Sequence, residues 1–114
     1  MGKEIQLGLI GKILGHSKSP EIFNEFFNKE GFDNSHYHLI EIDRIQDLKQ
    51  TISNNYPNLK GFNVTVPYKE EIIPFLDEIS PSAKSIGAVN TVVINDNKWS
   101  GFNTDFNGFE ELFN

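Results

Sequence analysis

The chain has 114 residues, 38% of them hydrophobic, no cysteine, and a formal net charge of −6 from 16 acidic and 10 basic side chains. That length suits one domain able to bury roughly two-thirds of its unfolded surface, and the composition is that of a globular protein, not a disordered tail. Without cysteine there is no disulfide or thiolate chemistry, and the singly scattered basic residues argue against nucleic acid and anionic membrane surfaces as partners.

No apolar stretch approaches a membrane span, and MGKEIQLGLIG lacks the apolar region of a secretory signal, so a cytoplasmic setting is expected. Ile5, Leu7 and Leu9 alternate, which predicts a strand over 4–10. Pro20 opens a helix with Ile22, Phe23, Phe26 and Phe27 on one face, and Gly31 ends it. HYHLIEI (36–42) predicts a second strand. Asp43 and Gln46 have the spacing of a capping box, with Ile45, Leu48 and Ile52 following at helical period. Phe62, Val64 and Val66 alternate in a third strand that Pro67 terminates. A broken helical stretch is expected from Lys69 to about Ile79, divided at Pro74. Ser80-Pro81 then starts a short helix that Gly87 caps. Ala88–Ile94 and Trp99–Asn103 predict a hairpin about the turn 95–98. A last helix begins near Asn103 and carries Phe106, Phe109, Leu112 and Phe113. The order points to an α/β domain with a mixed sheet.

The loop GHSKSP (15–20) follows the first strand, at the sheet end where ligands bind in open α/β folds. Ser19 before Pro20 is a good N-cap; Ser17 is not required for that role. Two hydroxyls beside a helix N-terminus could cradle a carboxylate or phosphate, although loops are serine-rich in any case. In NVTVPYK (63–69), alternation puts Asn63 and Thr65 on one face of the strand. Lys69 then stands at the expected helix start, against the helix dipole. It is either a solvated surface lysine or a general acid/base held by burial or a carboxylate. In GAVNT (87–91), Asn90 opens a β-branched strand where Asn is disfavoured, which implies a hydrogen-bonding task. In GFNTD (101–105), Asn103, Thr104 and Asp105 could each cap the last helix, which needs one.

Other signals are weaker. His36 and His38 share a strand face, but no acidic or cysteine ligand is suggested nearby, so no metal is expected. Neither GxGxxG nor GxxxxGK[ST] occurs, so the chain carries no nucleotide fingerprint. Asn63-Val64-Thr65 matches a glycosylation acceptor by chance.

In this order, GHSKSP, NVTVPYK, IGAVNT and GFNTD resemble the substrate-binding domain of the shikimate dehydrogenase family, over nearly the whole chain from Leu7 to Leu112. The resemblance implies an α/β, three-layer domain with a mixed, mostly parallel β-sheet flanked by helices. It implies that Ser17 and Ser19 bind the carboxylate of shikimate or 3-dehydroshikimate, and that Asn63, Thr65 and Asn90 surround the ring hydroxyls. Lys69 and Asp105 would be the catalytic pair. The implied parent enzyme reversibly reduces 3-dehydroshikimate to shikimate with NADPH, in aromatic amino-acid biosynthesis. NADP would be held by a second, Rossmann-type domain. On this reading 1–114 is one substrate-binding domain truncated before that unit, with no cofactor site of its own and no activity in isolation. The alternatives are a stand-alone module for a cyclic hydroxy-acid and a fragment of a quinate/shikimate enzyme. Exposure of the surface that normally meets the second domain could promote self-association into a homo-oligomer. Two departures from the family pattern stand out: Phe23-Asn24 where the family often has His-Asn, and Ile13 where it often has Pro.

Overall fold

The computed structural model describes residues 5–15, 21, 25, 35–105, 108, 111 and 112, and these are organised around a six-stranded sheet. Strands β1 (Gln6–Gly11), β2 (His36–Glu41) and β3 (Leu59–Val64) run parallel, with β1 in the middle. A two-residue β4 (Glu78–Ile79) forms one sheet edge, parallel to β6 (Lys98–Phe102). Between them and β3 lies β5 (Thr91–Asn95), antiparallel to both β3 and β6. The order β2-β1-β3-β5-β6-β4 is the mixed sheet that the element order predicts and the mostly parallel one that the resemblance implies.

Register sets the two faces. Ile10, Ile40, Phe62, Val64 and Val92 share one face and are buried. They form one core cluster with Leu48 and Ile52 of α1 (Leu48–Asn55) and with Ile45 from the 3-10 turn Ile45–Asp47 before it. Burying each such side chain contributes about 1.5–3 kcal/mol. Trp99 joins this core, its ring edge-on to Phe62 at 5.3 Å and the Lys49 ammonium 5.0 Å from its centroid. Leu7, Leu9, Tyr37, Asn63 and Thr91 occupy the opposite face.

Local signals are realised where they were strongest. The helix α2 (Pro81–Ile86) starts with Ser80 Oγ accepting the Ala83 N–H at 3.3 Å. It ends at Gly87, whose φ of 81° a side-chain-bearing residue would resist. The β5–β6 hairpin turns on Asp96 and Asn97, both at positive φ (52° and 65°), as a two-residue loop demands.

The structure departs from expectation in three places. No capping box forms at Asp43 and Gln46: Arg44 is extended (φ −136°, ψ 126°), the chain enters through a 3-10 turn, and the helix begins at Leu48 without a side-chain cap. No α-helix spans Lys69 to Ile79. Pro67 just before the stretch and Pro74 within it interrupt such a helix, and it folds as turns, a 3-10 segment Ile73–Phe75, then β4. Backbone bonds from Asp77 to Trp99 (2.8 Å) and from Ser80 to Gly101 (2.9 Å) draw its end into the sheet. Finally, β3 stops at Val64, because the Tyr68 N–H turns back to the Thr65 carbonyl, and Val66 is exposed.

Glu21, Glu25, Gly108, Glu111 and Leu112 are helical. The rest of the helix expected over 20–31, and Phe106, Phe109 and Phe113, lie outside the described residues.

Candidate functional site

The carboxyl ends of β1 and β3 meet at Gly11 and Thr65. The Thr65 N–H donates to the Ile10 carbonyl at 2.9 Å, and Ile42 N–H to the Gly11 carbonyl at 2.8 Å. A Cβ on Gly11 would lie 2.7 Å from both Leu14 Cδ2 and Thr65 Cγ2, so glycine is what lets the first loop close against Thr65. Glu41 holds that loop by accepting the Leu14 N–H at 2.8 Å. The loop leads toward Ser17 and Ser19, which lie outside the described residues.

The connection after β3 is anchored by Tyr68. Its buried hydroxyl donates to the Ile42 carbonyl at 2.5 Å, and burial, then the charges of Asp43 and Glu71, push the phenol above its usual pKa. With Tyr68 turned inward, Lys69 presents its side chain to solvent in a turn, so no helix dipole opposes it. The Lys69 carbonyl accepts the Val89 N–H at 2.8 Å and ties this connection to the 87–91 loop.

Asn90 has the hydrogen-bonding task its position implied. Its Nδ2 donates to the Thr104 carbonyl at 2.8 Å, and its Oδ1 accepts the Thr104 N–H at 3.0 Å and the Thr91 hydroxyl at 3.0 Å. Its own carbonyl accepts from Val64 N–H at 2.8 Å and from Asn63 Nδ2 at 3.4 Å. Asn63 Nδ2 also lies 3.3 Å from Thr91 Oγ1, and Asn63 Oδ1 accepts the Tyr37 hydroxyl at 2.7 Å. Asn103 Nδ2 donates to the Ala88 carbonyl at 3.1 Å. The 87–91 cluster is thus bonded directly to both the 63–69 and the 101–105 clusters.

Of the residues singled out in the sequence, Asn63 and Asn90 are hydrogen-bonded, backbone bonds tie Thr65 to β1 and Lys69 to the 87–91 loop, and Asp105 follows Thr104, which Asn90 holds. The three polar residues of GFNTD divide the work: Asp105 Oδ1 accepts the Gly108 N–H at 2.8 Å as the helix cap, and Asn103 and Thr104 bind the 88–91 segment. Lys69 and Asp105 are both exposed and do not form an ion pair. Sequence reasoning did not single out Tyr37, Thr91 or Thr104 for this network. Thr91 is the one fully buried polar residue among those described, and its adjacency to Asn90 was the available signal.

The opposite end of the sheet is different in character. His38 Nε2 lies 2.7 Å from Gln6 Oε1, and its ring packs 5.0 Å from that of Tyr56. Burial, then the neighbouring His36, lowers its pKa. Cavities of about 200 and 500 Å³ open here beside Gln6, Tyr56, Asn58 and Lys60, far from Lys69. Among the described residues no three His, Asp or Glu side chains converge as a metal site, and no helix is long and apolar enough to cross a membrane.

Residues 9–92 match the family described as the shikimate dehydrogenase substrate binding domain. The chain is 39% identical over 115 residues to the shikimate dehydrogenase (NADP(+)) of Staphylococcus epidermidis, covering 96% of this chain and 42% of that protein. It resembles the crystal structure of shikimate dehydrogenase 1 from Peptoclostridium difficile, with a TM-score of 0.82 and 42% identity over 96% of this chain and 40% of that one. It also resembles shikimate 5-dehydrogenase from Listeria monocytogenes, solved in complex with shikimate and NAD, with a TM-score of 0.77 and 38% identity over 95% of this chain and 37% of that one. The chain therefore spans about two-fifths of the length of the relatives it matches.

Proposed function

The chain belongs to the family of shikimate dehydrogenase substrate binding domains, and from that premise we propose that it seats shikimate or 3-dehydroshikimate for an NADP-dependent oxidoreductase. The observation that carries this reading is the bonding of the 63–69, 87–91 and 101–105 segments to one another through Asn63, Asn90 and Thr104. That arrangement gathers hydroxyl, amide, ammonium and carboxylate groups at the sheet end used by ligands in open α/β folds.

Ser17 and Ser19 bind the ligand carboxylate, and Asn63, Thr65 and Asn90 receive its hydroxyls. Asn63 Oδ1 keeps one lone pair beyond Tyr37, and Asn90 Nδ2 keeps one hydrogen beyond Thr104. Lys69 stabilises the negative charge that develops on the C3 oxygen during reduction and delivers its proton. Asp105 Oδ1 accepts one bond, from Gly108, which leaves Oδ2 and the second lone pair of Oδ1 to orient Lys69 or accept a ring hydroxyl. The two side chains meet through the ligand, being unpaired without it.

The described glycines, Gly8, Gly11 and Gly15 among them, offer no phosphate-binding loop for NADP, and the space Gly11 leaves is filled by Leu14 and Thr65. The cofactor belongs to another part of the parent enzyme, and the isolated 114-residue chain has no turnover with NADP; measurable oxidation of shikimate by it overturns that statement.

An NMR titration with shikimate, with quinate as competitor, tests the site. Weak binding is expected for the chain, and Ser17→Ala costs about 1–3 kcal/mol if the hydroxyl meets the carboxylate. Equal affinity in the chain and in Ser17→Ala refutes the carboxylate assignment.

A further inference from the structure

Tyr37 stands on β2, two strands away from β3, with its side chain buried. Its register partner on β1 is Leu7, whereas Asn63 of β3 pairs with Leu9. The Tyr37 side chain therefore crosses β1 diagonally, toward the strand ends, to place its hydroxyl 2.7 Å from Asn63 Oδ1.

The network beyond Asn63 dictates the direction of each hydrogen in it. The Thr104 N–H and C=O are a fixed donor and a fixed acceptor, so Asn90 must turn Oδ1 to the first and Nδ2 to the second. Asn90 Oδ1 also takes the Thr91 hydroxyl proton. With that proton used, Thr91 Oγ1 can only accept, from Asn63 Nδ2 at 3.3 Å and from Thr104 Oγ1 at 3.2 Å. Reversing the Asn63 amide would set its oxygen against the Asn90 carbonyl. Asn63 Oδ1 is left facing Tyr37, which closes the series with a donor.

We propose that Tyr37 is a positioning residue for the candidate site, acting through Asn63. The Asn90 carbonyl and Thr91 Oγ1 set which way the Asn63 amide points, and Tyr37 holds the outward-facing Oδ1 in place, so that this position offers a ligand a fixed acceptor, suited to a hydroxyl and unsuited to a carbonyl. Tyr37 does this without touching the ligand, and the inference rests on the substrate-site reading above.

Tyr37→Phe removes one oxygen and preserves the ring. In the 114-residue chain, with its fold checked by backbone amide spectra, the shikimate Kd is expected to rise about three- to tenfold. In an Asn63→Ala background the same change is expected to alter Kd by less than about twofold, because the residue through which Tyr37 acts is gone. Wild-type affinity in Tyr37→Phe, or an undiminished loss in the Asn63→Ala background, overturns the inference and leaves the substrate-site reading standing. Absence of shikimate binding by the unaltered chain removes that reading and this inference with it. Thr91 gives a second route should Tyr37→Phe not fold: Thr91→Ser keeps the hydroxyl and the affinity, and Thr91→Val loses affinity by a similar factor. Equal binding by those two variants also overturns it.

Discussion

Asn90 and Thr104 are joined by two opposed hydrogen bonds, one amide group of Asn90 meeting each backbone polar group of Thr104, at 2.8 and 3.0 Å. A side chain here does the work of a sheet rung, extending the β5–β6 pairing beyond Thr91 and Phe102. Because the pair bridges the 87–91 and 101–105 segments, it sets where Asp105 leaves the sheet.

The first expectation concerns this clamp. Asn90→Asp places an acceptor where Thr104 offers another, leaving a partly buried carbonyl unpaired, and should lower stability by about 1–3 kcal/mol. Urea unfolding measures it. An unchanged midpoint would remove the clamp from any account of the fold.

Lys69 should behave in the opposite way. Its side chain is exposed and has no ion-pair partner among the described residues, so Lys69→Ala should melt like the unaltered chain. In an enzyme that carries this domain together with its NADP-binding part, the same change should lower turnover by about 10²–10⁴. Lys84→Ala, also exposed, is the control that should leave turnover intact. Equal turnover in both variants would strip Lys69 of its role.

The hairpin offers a change remote from the site. Asn97 sits at φ 65°, a region costing a side-chain-bearing residue energy that glycine avoids. Asn97→Gly should therefore stabilise by about 0.5–1 kcal/mol in a thermal melt, without altering shikimate affinity. Destabilisation would mean that the Asn97 side chain makes a contribution its backbone does not explain.

His38 makes stability depend on pH. Burial, then the neighbouring His36, lowers its pKa from the ordinary 6.5, so the folded chain binds fewer protons than the unfolded chain just below that value. Its contribution is present above pH 6.5 and is lost as pH falls through the lowered folded value. His38→Gln should flatten the part of the stability profile that lies below about pH 6.5. Parallel profiles for the two proteins would show that His38 is not the titrating group.

Some of this architecture is legible in short windows of sequence. Ser80, Pro81 and Gly87 specify α2 through bonds spanning three or four residues, and Asp96-Asn97 specifies its turn through backbone dihedrals alone. The alternation in 5–9 and 36–41 marks strands because period two is a property of the extended chain itself. The four motif clusters were visible too, as polar residues exceeding what caps and turns require.

Other features depend on partners far along the chain. The capping box at Asp43 and Gln46 failed because Ile42 is drawn to Gly11, and Arg44 follows that strand outward in an extended conformation. Glu78 and Ile79 became a strand because Trp99 and Gly101 offered an open sheet edge. Which residue of GFNTD would cap the helix was undecidable until Asn90 claimed Thr104 and left Asp105 for Gly108. The contact between Tyr37 and Asn63 needed two parallel registers, β2 on β1 and β1 on β3, to be set at once. The sequence by itself determined the elements whose causes are local, together with the polar residues available for chemistry. Only tertiary structure decided how those residues orient one another, because register in a parallel sheet is settled by the packing of all its strands, not by any one of them.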